Sequence, residues 1–267
     1  MDLGVRGKGY LLVGGSAGMG LAAASALAAD GAVVAIAGRD AARTSAAAEV
    51  LRADHGARVV ALAGDVGVAG EAERLVAEAA AALGGLRGVA VTTGLGARGQ
   101  RDLQRGTDAD WHDTFEDLLM GTVRVCRAAV PLLVASGGGS IVTTAAYSIR
   151  SPKPHQLPYG AIKSGVATFT KALAKAYGAA GVRANCVCPG ATETAVLAAM
   201  RTRLAEERGW PVAEALERAM VEDWGMRVAL GRAGTPRELG DVIAFLLSER
   251  ASYVSGALVN VDGGTDF

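Results

Sequence analysis

The chain has 267 residues, about half of them apolar, enough for one large α/β domain with a continuous core. Its 27 Lys and Arg balance 27 Asp and Glu, so no net field draws the molecule to nucleic acid or to an anionic membrane, and a small-molecule partner is expected. No run reads as long and apolar enough to span a bilayer, and the first residues carry no signal-like apolar stretch, so no membrane association and a cytoplasmic location are expected.

Short apolar runs at 10–13, 33–37, 59–63, 89–93, 141–144, 184–188 and 258–261 read as strands separated by segments of helical length. Runs that are apolar throughout, rather than alternating, are expected where helices cover both faces of a parallel sheet. The expectation is therefore an α/β fold of one domain over 1–267: a doubly wound, parallel, seven-stranded Rossmann sheet. Gly31 and Gly56 fall just beyond helical runs, where a left-handed cap costs glycine little. Thr235, Pro236 and Glu238 make a capping-box pattern opening a helix through about 248. Cys126, Cys186 and Cys188 read as reduced packing residues, and no metal site is expected, because no His or second Cys pair stands at ligand spacing.

Directly after the first strand comes Gly14-Gly15-Ser16-Ala17-Gly18-Met19-Gly20, then a helix to about residue 30. Strand, glycine turn and helix are the order that dinucleotide binding needs: the glycines let the backbone approach a pyrophosphate, and the helix N-terminus favours negative charge. The same residues match the nucleophile elbow G-x-S-x-G around Ser16. That rival needs a later acid and His, and the histidines stop at His155.

The spacing G-x-x-x-G-x-G resembles the cofactor loop of the short-chain dehydrogenase/reductase family, and the resemblance runs from Gly9 to Gly264. After the second strand stand Gly38-Arg39-Asp40. Arg39 offers a cation to a 2′-phosphate and favours NADP(H), whereas Asp40 on the ribose hydroxyls would serve NAD(H). Asp65-Val66 resembles the family's adenine-contacting pair, although Asp65 also suits a helix N-cap. Tyr159 and Lys163 are four apart, share a helical face and resemble the family's Tyr-x-x-x-Lys. A neighbouring cation is expected to lower the Tyr159 pKa, fitting it to exchange a proton with a carbonyl or alcohol oxygen. The resemblance implies that Lys163 also holds the nicotinamide ribose, that Pro189-Gly190 form the turn after the sixth strand, and that Thr192 and Thr194 meet the carboxamide. It also implies a homo-oligomer, a tetramer or dimer.

Three segments depart from the family. Its fourth strand ends Asn-Asn-Ala-Gly, but here Val91-Thr92-Thr93-Gly94 retain only the glycine. The Asn of its water relay aligns with Leu118, and the catalytic Ser, thirteen before the Tyr, aligns with Ala146. Losing such a donor costs roughly 10²–10³ in turnover. Ser148, Thr144, Tyr147 and His155 are candidate substitutes, with Ser148 ahead. Arg98, Arg101 and Arg105, in the loop 96–108, could bind a carboxylate or phosphate, or lie in solvent or against another subunit. Residues 195–230 read as a lid around Gly209-Trp210-Pro211, whose Trp210, Trp224, Met220 and Met226 suit either a cleft wall or core packing. The leading expectation is an NADP(H)-dependent oxidoreductase acting on a carbonyl or alcohol. The alternatives are a non-redox lyase, cyclase, dehydratase or isomerase on the same fold, and a cofactor-binding scaffold without turnover.

Overall fold

The computed structural model describes residues 2–94 and 102–265. Seven strands form one sheet: β1 (Gly9–Val13), β2 (Val33–Gly38), β3 (Val59–Ala63), β4 (Gly88–Val91), β5 (Gly139–Thr144), β6 (Val182–Pro189) and β7 (Leu258–Val261). Their order is β3-β2-β1-β4-β5-β6-β7, and every neighbouring pair is parallel.

Alternate residues of each strand feed two apolar layers. Tyr10, Leu12, Val34, Ile36 and Val142 face α1 (Gly18–Ala29), α2 (Ala41–His55) and α9 (Pro236–Leu247). Leu11, Val13, Ala35, Val89 and Ile141 face α3 (Glu71–Leu83), α5 (Gly121–Ala135) and α6 (Leu157–Tyr177). Burial on both faces explains why the runs are apolar without alternation. On the first face α1 and α9 cross so closely that a Cβ on Gly240 would stand 2.6 Å from the Ala22 backbone. The expected caps are present: Gly56 is left-handed after α2, and Thr235 and Glu238 close a reciprocal capping box at α9.

Two expectations change. The fourth strand stops at Val91 rather than Thr93, and Thr92 and Thr93 turn into the crevice beyond it. The second concerns the helical stretch Asp108–Ala135, formed by α4 (Asp108–Thr114), a π-helical turn (Phe115–Met120) and α5. It contains a window of mean hydropathy 1.7, long and apolar enough to cross a membrane by length and composition. Reading contiguous apolar runs misses it, because polar residues interrupt the run without much lowering its mean. Its Val125, Ala129 and Leu133 are buried against the sheet.

The strand order reverses between β1 and β4, so the connections leave on opposite faces and open a crevice at the strand C-termini. The turn after β1 lies there. The last two helices before α9, α7 (Ala195–Arg208) and α8 (Val212–Glu222), follow the sixth strand and form a hairpin at the same end of the sheet.

Candidate active site

The crevice is a cleft of about 450 Å³ lined by Gly14, Ser16, Gly18, Met19, Arg39, Asp65, Val66, Gly94 and Thr194, all singled out from the sequence. It also takes in Thr93, from the altered fourth-strand motif, and Arg43 and Asp117, which the sequence reading did not single out. Gly14 and Gly18 have φ of 83° and 55°, a backbone that side chains rarely adopt. Helix α1 opens at Gly18 with no side-chain cap and no acid in its first turn. Its free N–H groups and positive end therefore suit a pyrophosphate at the glycine turn. Gly20 lies one step away, packed so that a Cβ would come 2.5 Å from the Gly14 carbonyl oxygen.

Thr92, which stands where the family has Asn, carries out a structural task. Its Oγ1 donates to the Val13 carbonyl oxygen at 2.9 Å, tying β4 to the end of β1 beside the glycine turn. At the end of β2, the Asp40 carboxylate accepts from Arg43 N at 2.9 Å and caps α2. Among the described residues Arg39 has no hydrogen-bond or ion-pair partner and lines the cleft with Arg43. Asp65 accepts from Gly67 N at 3.0 Å in a local turn. It is not a helix cap, because α3 starts only at Glu71 after Gly70, whose φ is 84°.

Lys163, Tyr159, Ser148, Pro189, Gly190 and Thr192 do not line this cleft, and Lys163 touches it only through Thr93. The Lys163 side chain is buried; Nζ donates to the Thr144 carbonyl oxygen at 2.7 Å and to that of Thr93, a cleft residue, at 3.5 Å. Burial lowers its pKa to about 8, and the neighbouring Cys186 and Cys188 thiols oppose this without offsetting it. Tyr159 lies one turn earlier on α6, with Nζ 5.9 Å from its ring centre. The phenol pKa is raised to about 12 by burial and, second, by Tyr147. The expected lowering by Lys163 is thus absent, since desolvation dominates.

The strand β5 runs straight into the family's serine position. Ala146 is extended and buried, followed by a tight 3₁₀ turn, Tyr147–Ile149. Ser148 is wholly buried, and its Oγ has no hydrogen-bond partner; Thr144 Oγ1, also buried, has none. The turn abuts α6, with the Ser148 carbonyl 3.9 Å from where a Gly160 Cβ would stand. Tyr147 packs with Leu197, Met220, Trp224 and Met226, while His155 is exposed. Leu118 is buried on the π-helical turn. Thr192 Oγ1 donates to the Gly190 carbonyl at 3.3 Å, beside the turn that follows Pro189. Arg105 is largely exposed and paired with Asp102, whereas Arg98 and Arg101 lie outside the described residues.

Trp210 packs between α7 and α8 on Leu204, Ala215 and Ala219, flanked by the Arg208 and Arg218 guanidiniums at 4.6 and 4.5 Å. Trp224, Met220 and Met226 instead join the hairpin to Tyr147 and Ala191. Cys126, Cys186 and Cys188 are free and buried. Among the described residues no group of three or more His, Cys, Asp or Glu could hold a metal.

Residues 14–266 match the family model described as enoyl-(acyl carrier protein) reductase. The chain is 29% identical to the 3-oxoacyl-[acyl-carrier-protein] reductase FabG of Chlamydia muridarum over 263 residues, covering 96% of each. It is 32% identical to the short-chain dehydrogenase/reductase ABA4 of Pyricularia oryzae, over 96% of this chain and 91% of that protein. The L-sorbose reductase of Gluconobacter frateurii, solved with NADPH and L-sorbose, superposes with a TM-score of 0.92 at 30% identity, covering 99% of this chain and 98% of that one.

Proposed function

Because the chain belongs to the short-chain dehydrogenase/reductase family, we propose that this enzyme is an NADP(H)-dependent oxidoreductase acting on a carbonyl or alcohol, with Tyr159 as its acid and base. The observation that supports the reading is the contact between Lys163 and Thr93, which links the Tyr159–Lys163 pair to the cleft lined by the glycine turn.

In this reading the glycine turn, with Gly14, Ser16, Gly18, Met19 and Gly20, receives the pyrophosphate. Asp65, Val66 and Gly94 flank the adenosine half. Arg39 binds the 2′-phosphate with Arg43 beside it, and the commitment of Asp40 to the α2 cap removes the acid that NAD(H) would use. Lys163 holds the nicotinamide ribose, and Pro189, Gly190, Thr192 and Thr194 border the carboxamide. The bound dinucleotide supplies or accepts the hydride. Tyr159, protonated up to a pKa of about 12, gives its phenolic proton to the carbonyl oxygen in reduction and takes it back in oxidation. Ser148 supplies the second hydrogen bond to that oxygen: its buried Oγ has no other partner, and an unsatisfied buried hydroxyl is costly unless a ligand completes it.

Residues 195–230 form the substrate lid of a single domain spanning 1–267. The exposed Leu258 on the edge strand β7 supports association of two or four copies, and three buried free thiols suit the reducing cytoplasm. Fluorescence titration with NADPH and NADH, followed by a carbonyl panel, tests the assignment. Failure of both dinucleotides to bind ends the redox reading, and turnover without net change of cofactor selects a non-redox reaction instead.

A further inference from the structure

We infer that Arg201 is a positioning residue that clasps the α7–α8 lid to the cofactor-facing loop 192–194, so that cofactor binding and lid ordering reinforce one another. The inference rests on the assignment of Thr192 and Thr194 to the cofactor.

Arg201 lies on α7 with only 13% of its side chain exposed. Its Nε donates to Glu193 Oε1 at 2.6 Å and its Nη2 to Glu193 Oε2 at 3.2 Å. Its Nη1 and Nη2 meet the two carboxylate oxygens of Glu217, on α8, at 2.7 and 2.8 Å. Nη1 also donates to the Ala213 and Val212 carbonyl oxygens, at 3.0 and 3.3 Å. One guanidinium therefore grips two carboxylates bidentately and the first turn of α8, a geometry that an ammonium cannot copy.

The placement of Glu193 gives the clasp its reach. It stands between Thr192 and Thr194, and its backbone N donates to the Gly234 carbonyl at 2.8 Å, anchoring the loop to the body of the protein. Thr194 lines the cofactor cleft, and its Cγ2 lies 3.4 Å from where a Gly18 Cβ would stand. A ligand that orders Thr192–Thr194 thus fixes Glu193, and through Arg201 it fixes α8. The hairpin has its own apolar core around Trp210, separate from the cluster joining it to Tyr147 and Ala191, so it can respond as a unit. Burial raises the Glu217 carboxyl pKa, but Arg201 together with backbone hydrogen bonds outweighs it and holds the group below its usual range. The pair therefore stays ionised at neutral pH.

Coupling of this kind is reciprocal: cutting the lid from the loop weakens cofactor binding by the same factor as the cofactor orders the lid. The test is hydrogen exchange with and without NADPH, beside fluorescence titration of NADPH, on wild type, Glu217→Gln, Arg201→Lys and Thr194→Ala. In wild type NADPH slows exchange at both 192–194 and 212–222. In Glu217→Gln, and in Arg201→Lys, protection persists at 192–194 and is lost at 212–222, while NADPH binds roughly fivefold more weakly or worse. Equal protection of 212–222 in wild type and Glu217→Gln, with unchanged affinity, overturns the clasp and leaves the cofactor assignment standing. Unchanged affinity in Thr194→Ala, with no protection at 192–194 in wild type, overturns that assignment and the clasp built on it.

Discussion

Lys163 donates to the carbonyl oxygen of Thr144 at 2.7 Å from within the protein interior, where burial has already drawn its pKa to about 8. Tyr159 beside it keeps its proton to about 12. Under the proposed mechanism, therefore, loss of the lysine charge is expected to limit reduction. With NADPH and a turned-over carbonyl, kcat/KM holds below about pH 8 and declines above it. A profile flat through about pH 10 would contradict this assignment.

The same burial affects stability. The folded pKa of Lys163 lies below the ordinary 10.5, so the folded state bears the full cost of the charge below about 8 and is relieved as pH climbs from there toward 10.5. Lys163→Met is expected to be inactive yet more stable at pH 7, by on the order of 1–3 kcal/mol. Its advantage shrinks as pH rises through that window, which urea melts at two pH values will measure.

Removing both cations from the cleft separates the two dinucleotides. Arg39→Ser with Arg43→Ser is expected to weaken NADPH binding by about tenfold to a hundredfold and to leave NADH within about twofold, since only the 2′-phosphate loses partners. Parallel fluorescence titrations decide it; equal losses for both cofactors would refute the assignment.

At the reacting oxygen, Ser148→Ala is expected to lower kcat by roughly 10²-fold with little change in NADPH affinity. Ala146→Ser, which adds a hydroxyl on the extended segment beside it, raises kcat by about tenfold or more if the family geometry is otherwise intact. Tyr159→Phe abolishes reduction while retaining cofactor binding. Persistence of full turnover in Tyr159→Phe would remove the acid from the scheme.

Much of this was legible in the sequence because its determinants are local. Strands covered on both faces show as unbroken apolar runs, and Tyr159 and Lys163 are one helical turn apart. The glycine turn announces its positive φ angles. What escaped was non-local. The pKa of Tyr159 moves up rather than down because burial in the fold, and then the neighbouring Tyr147, disfavour its ionised form. Asp65 fits a helix cap or the cleft equally well by its local sequence, and only the start of α3 beyond Gly70 separates the two. Arg201 finds Glu193 and Glu217 eight and sixteen positions off, separations that no single-helix pairing rule covers. Arg43 stood within reach: it lies one helical turn beyond Arg39, just past a capping Asp.

The threonine that ties β4 to β1 has a consequence for how this chain can vary. A Cβ on Gly14 would stand 2.8 Å from Thr92 Oγ1, and one on Gly20 would press on the same hydroxyl and on the Gly14 carbonyl. Positions 20 and 92 therefore form an epistatic pair. Substituting alanine at Gly20 alone should cost about 1–3 kcal/mol through overpacking, and part of that cost should vanish when Thr92 is shortened to Ala, which removes the crowded hydroxyl. Among homologues, a larger residue at 20 should be accompanied by a smaller one at 92, whereas the positive φ of Gly14 keeps that position glycine whatever stands at 92.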